Sequence, residues 1–126
     1  MFQSISFTQT LTALKKADKA SLTFYRGIEK EGLRVKTDTS ISQIPHQAAL
    51  GSALTHPYIT TDYSEALLEF ITPVRDSASK VLDFLQTAHS YTYQHLGDEL
   101  IWPASMPGVI DEELDVPIAQ YGQSNV

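Results

Sequence analysis

The chain has 126 residues, 42% of them hydrophobic, and carries a formal charge of −6. That size and composition fit one modest folded domain, and the acidic balance opposes nucleic-acid binding, which draws on Lys and Arg to neutralise phosphates. There is no Cys, so disulfides, thiolate metal sites and a cysteine nucleophile are excluded within these residues.

No apolar run approaches a membrane span, and the amino terminus lacks the basic and apolar regions of a secretory signal. The expectation is a cytoplasmic protein. Phe7, Leu11 and Leu14 recur at helical spacing, with Ser4 or Ser6 as N-cap and Lys15, Lys16 and Lys19 near the far end, which predicts a helix over 6–17. Its narrow apolar stripe is expected to cover the edge of a larger body. A strand is predicted over 23–35, followed by a turn at Thr37–Ser42 and a poorly periodic stretch from Pro45 to Pro57.

Ile59 to Val74 reads two ways. Asp62, Glu65 and Glu69 have helical spacing, yet Leu67, Glu69 and Ile71 alternate with Ala66, Leu68 and Phe70, and Pro73 pushes Thr72 towards an extended conformation. A turn at 62–65 and a strand at 66–72 are favoured. Asp76 or Ser77 can cap a helix over 77–96, with Val81, Leu85, Ala88 and Thr92 on one side, Leu82, His89 and Leu96 widening it, and Gly97 stopping it. Beyond it, Trp102-Pro103 and Met106-Pro107 interrupt regular structure, Asp111 to Asp115 is an acidic run, and the last residues show no clear element. The class is therefore α+β, strands flanked by helices.

The chemistry concentrates in acids on strands. Glu29 and Glu31 share a strand face, about 6.6–6.8 Å apart along the backbone, with Gly27 and Leu33, while Arg26, Ile28, Lys30 and Arg34 line the other. If the two strands pair, Glu69 approaches this couple and Asp62 reaches it from the strand's start. Four oxygen-bearing side chains suit Mg²⁺ or Mn²⁺. Taken by themselves, the same residues read first as ordinary solvent-facing acids or ion pairs, next as a metal site, and last as a two-carboxylate acid–base pair. Gly27 or Gly32 could introduce a bulge and disturb the faces. His46, His56, His89 and His95 have no metal-ligand spacing, and His89 reads as packed or on a helix surface. An isolated Tyr63 beside Asp62 reads either as packing or as the wall of a pocket. Tyr121, Gln123, Ser124 and Asn125 offer hydrogen-bonding groups or a bare terminus.

Four blocks carry a resemblance: R-G-I-E-K-E-G-L-R-V at 26–35, L-G-S-A-L-T-H-P-Y-I-T-T-D-Y-S-E-A-L-L-E-F-I-T-P at 50–73, G-D-E-L-I-W-P-A-S-M-P at 97–107 and A-Q-Y-G-Q-S-N at 119–125. In order and spacing they resemble the amino-terminal part of bacterial glutamate–cysteine ligase of the proteobacterial type, from about Ala20 onwards. The resemblance implies a partial glutamine-synthetase-like carboxylate–amine ligase domain on an antiparallel sheet. It also implies ATP-dependent ligation of L-glutamate and L-cysteine through a γ-glutamyl phosphate, with Mg²⁺ or Mn²⁺ and no protein nucleophile.

By the same resemblance Glu29, Asp62 and Glu69 match family metal-site acids. Glu31 matches an acid associated with that cluster, and Tyr63 matches an aromatic near the cysteine pocket. Glu65 matches a common family acid without a ligand role and serves as a comparison residue. Residues 1–126 are expected to form the amino-terminal portion of the catalytic domain, inactive alone, with most ATP contacts outside it and with exposed strand edges through which copies self-associate. The alternative is a noncatalytic or small divalent-metal-binding protein.

Overall fold

The computed structural model describes residues 6–18, 22–106, 108–110 and 116–121. Ser4, Lys19, the acidic run Asp111–Asp115, and Gln123, Ser124 and Asn125 lie outside the described residues. Helix α1 spans Phe7–Lys16, and Ser6 and Gln9 form a reciprocal capping box at its start. Among the described residues its apolar stripe covers nothing. Phe7 is 82% exposed, and no residue of the helix is buried among the described residues.

Four strands follow among the described residues. They are β1 (Glu29–Val35), β2 (Ile59–Thr61), β3 (Leu67–Ile71) and β4 (Leu100–Ile101), arranged in one antiparallel sheet of order β2-β3-β1-β4. The regular ladder of β1 begins at Glu29, later than the expected start at residue 23. Pro73 is the reason: it has no N–H to offer, so the ladder cannot run past Thr72. There the Thr72 hydroxyl accepts from the Ile28 N–H at 2.8 Å, and pairing resumes between Arg26 and Arg75 with one extra residue on the β3 side. Gly32 is not a bulge, since the register runs unbroken from Glu29↔Ile71 to Leu33↔Leu67. Alternation along β1 and β3 therefore holds.

One sheet face is the core. Leu68 and Phe70 of β3, Ile59 of β2 and Ile101 of β4 pack with Leu50, Leu96 and Leu85 and Ala88 of helix α2, which spans Ala78–Tyr93. The stripe Val81, Leu85, Ala88 and Thr92 is buried as its spacing predicts, whereas Leu82 is exposed. Ser77 supplies the cap, accepting from the Lys80 N–H. The helix ends at Tyr93, before the expected residue 96, and Gly97 adopts φ +65° in the turn that follows. His89 is packed, its ring stacked on Phe70 at 4.3 Å between centroids.

Arg34 departs most from expectation. Its position on the face opposite the acids is right, but that face is the buried one. Arg34 is fully buried and paired at 2.9 Å with the carboxylate of Glu99, 65 residues away. It also donates to the carbonyl oxygens of Ile44 and Glu65 at 2.7 Å each.

Candidate metal centre

The other sheet face carries the acids. Glu31 and Glu69 are direct partners across the β1–β3 ladder, which places their Cβ atoms about 4.5–5.5 Å apart on one side of the sheet. Glu29 lies two residues along β1 on that same side, and Thr60 of β2 faces Glu69 from the other flank. Leu33, Leu67 and Ile71 share the face and are half-buried, so the acids sit on a partly apolar floor. Asp62 follows β2 directly, with its N–H donated to the Leu67 carbonyl at 3.0 Å.

The electrostatics link the four. Partial burial, then the charges of Glu29, Asp62 and Glu31, hold the carboxyl of Glu69 above the ordinary glutamate range. An oxygen-only, like-charged set of this kind fits a hard divalent cation in its donor chemistry, and mutual repulsion is what such an ion relieves. The side chains as placed do not close around a point. Among the described residues, no three His, Asp or Glu side chains form a group that could hold a metal ion. Tyr63 sits on the same turn as Asp62, and its side chain is 73% exposed.

Glu65 is not the surface acid that a comparison residue requires. It is only 6% exposed, and both carboxylate oxygens are used, one by the His46 N–H at 2.8 Å and one by the Gln120 N–H at 2.7 Å. Beside it, burial and the nearby Arg34 charge push the His46 imidazole below its ordinary value, which favours the neutral ring. Tyr121, read from sequence as a hydrogen-bonding group without a partner being named, donates its hydroxyl to the carbonyl oxygens of Thr61 and Asp62 at 3.3 and 3.2 Å. The segment that looked like a bare end is pinned onto the acid-bearing turn.

Comparison with known proteins yields consistent matches. The family model described as glutamate–cysteine ligase matches residues 11–126. A glutamate–cysteine ligase of Alcanivorax borkumensis is 58% identical over 120 residues, covering 94% of this chain and 23% of that protein. One of Aliivibrio salmonicida is 49% identical over 120 residues, covering 95% of this chain and 23% of that protein. Among solved structures, the glutamate–cysteine ligase of Francisella tularensis in complex with AMP superposes with a TM-score of 0.75 at 38% identity, over 80% of this chain and 20% of that one. A bifunctional glutathione synthetase from Pasteurella multocida gives a TM-score of 0.74 at 36% identity, over 78% of this chain and 14% of that one. The chain thus spans about a quarter of the length of the curated relatives it matches. No described helix is long and apolar enough to cross a membrane.

Proposed function

The chain belongs to the glutamate–cysteine ligase family, and we propose that it supplies the first acid-bearing strands of an enzyme that joins L-glutamate to L-cysteine, the opening step of glutathione biosynthesis. A γ-carboxylate oxygen of glutamate attacks the γ-phosphorus of ATP, the bond to the β–γ bridging oxygen breaks, and ADP leaves. The cysteine amino nitrogen then attacks the acyl carbon of the γ-glutamyl phosphate, the carbon–oxygen bond breaks, and phosphate and a proton depart. No protein nucleophile is needed. Residues 1–126 form the amino-terminal portion of the catalytic domain, and reduced cysteine as substrate suits a cytoplasmic enzyme.

Glu29, Glu31, Asp62 and Glu69 are the residues that would hold Mg²⁺ or Mn²⁺. A bound ion of that kind neutralises phosphate charge and stabilises charge developing on transferred oxygens. Glu31 and Glu69 face one another from paired strands, so backbone hydrogen bonds preorganise their positions. Tyr63, on the turn beside Asp62, lines the cysteine side. The observation that carries the reading is the placement of Glu29, Glu31 and Glu69 on one face of the paired strands β1 and β3, with Asp62 on the adjoining turn. The AMP bound to the Francisella relative supports a nucleotide substrate. Alone, the 126-residue chain is inactive and associates with its own copies through the sheet edges β2 and β4.

The test uses the full-length enzyme. Glu29→Gln and Glu69→Gln keep side-chain size and remove the charge, so ATP-dependent γ-glutamylcysteine formation should fall by roughly a hundredfold or more. Thermal unfolding should stay cooperative. Glu31→Gln should lower activity in the same direction. Near-normal rates and an unchanged magnesium response in folded Glu29→Gln and Glu69→Gln would overturn the metal reading.

A further inference from the structure

We infer that Glu65 is a positioning residue for Asp62, acting through the segment Pro117–Tyr121; the inference rests on the reading of Asp62 as a metal-holding acid. Asp62 stands at the turn end of a short hairpin, exposed, where the chain passes from β2 to β3. A three-residue strand contributes little ladder to fix such a turn. Within the hairpin the Asp62 N–H reaches the Leu67 carbonyl and the Leu67 N–H the Ser64 carbonyl, and the segment Pro117–Tyr121 adds anchors from outside the sheet. The Glu65 N–H donates to the Pro117 carbonyl at 2.8 Å, and the Ala119 N–H donates to the Tyr63 carbonyl at 3.0 Å. The Tyr121 hydroxyl reaches the carbonyl oxygens of Thr61 and Asp62.

The carboxylate of Glu65 is the centre of this arrangement. One oxygen takes the backbone N–H of His46 and the other that of Gln120. The Arg34 guanidinium caps the Glu65 carbonyl at 2.7 Å. A buried carboxylate with both oxygens engaged by backbone donors is committed to holding segments together. Glutamine at this position would turn one acceptor into an NH₂ group facing a backbone N–H, and one of the two segments would lose its anchor to this side chain. The anchor on the Gln120 side is next to Tyr121, whose hydroxyl holds the Asp62 backbone, so its loss loosens that contact while the backbone bonds at Pro117 and Ala119 remain.

The experiment follows γ-glutamylcysteine formation and, without substrates, the magnesium-induced rise in melting temperature over a magnesium series in the full-length enzyme. Glu65→Gln and the milder Tyr121→Phe should each raise the half-saturating magnesium concentration by roughly 10–100-fold, as loss of a group that orients a metal ligand does. The rate at saturating magnesium should fall less. In an Asp62→Asn background the same two substitutions should add no further shift, because there is no carboxylate left to orient. Equal shifts with and without Asp62, or a lower maximal rate at unchanged half-saturation, would overturn the inference. If Glu65→Gln does not fold, Tyr121→Phe decides, and an unchanged magnesium response in that variant counts against it. If Asp62→Asn alone leaves the magnesium response intact, the reading of Asp62 itself falls, an outcome distinguishable from loss of positioning alone.

Discussion

On the proposed reading, stability and activity respond to Glu69 with opposite signs. Its ordinary value is 4.5, and in the folded chain its carboxyl lies above that through burial and the charges of Glu29, Asp62 and Glu31. The native state therefore holds this proton more tightly than the unfolded chain does. The resulting stability is fully present below the ordinary value and is lost as pH rises through the raised one. At neutral pH the ionised group works against folding. Glu69→Gln removes that charge, so the melting temperature should exceed that of the parent at about pH 7 and converge with it below about pH 4. Thermal unfolding across that range checks the sign; a lower melting temperature at neutral pH, with no convergence on acidification, would contradict it. A variant that gains stability while losing activity is what a site built from mutual repulsion should give, whereas a purely structural residue would lose both.

At the scale of the elements, β1 is squeezed between its neighbours. Gly32 is buried, and a Cβ built there would lie 2.5 Å from the Cγ2 of Ile101 on β4. Gly32→Ala should therefore cost about 1–3 kcal/mol in denaturant unfolding. Combining it with Ile101→Ala should give a total loss smaller than the sum of the single effects, since the shortened side chain makes room. Purely additive losses would show that the close approach is not what matters. This pairing of β1 with β4 was invisible in the sequence, because a two-residue strand has no period to detect. Strand β2 was hidden similarly, although Ile59, Thr60 and Thr61 are all β-branched. The long signals were legible: alternation placed Glu29 and Glu31 on one face, Glu69 joined them only on the condition that the strands pair, and a four-residue stripe defined the buried side of α2. Alternation cannot say which face is covered, so Arg34 was placed on the correct side without its burial being foreseen. Its partner Glu99 is set by tertiary structure alone, and so is the burial of Glu65 beneath a distant segment.

For the whole molecule, the share of the relatives' length that is covered, about 23%, sets the expected activity. The purified 126-residue chain should form no γ-glutamylcysteine from ATP, glutamate and cysteine, and turnover in the ordinary enzyme range of about 1–10³ per second would contradict this. Light scattering over a concentration series should show association, since β2 and β4 are the outer strands of the sheet and unpaired edges recruit other strands. A strictly monomeric chain at every concentration would refute that part. The strand order has one more consequence, for the chain during its synthesis. β1 is central, yet Thr72, which closes one side, lies 44 residues beyond Ile28, and β4 is later still. At about 5–20 residues per second, the nascent β1 waits seconds with both edges bare. Glu29, Lys30, Glu31 and Arg34 punctuate its length with charge, and charged side chains are what keep a bare strand from pairing with the wrong neighbour. The acids proposed to meet a metal ion in the finished protein thus have an earlier task, as guards of a strand that is made long before its partners.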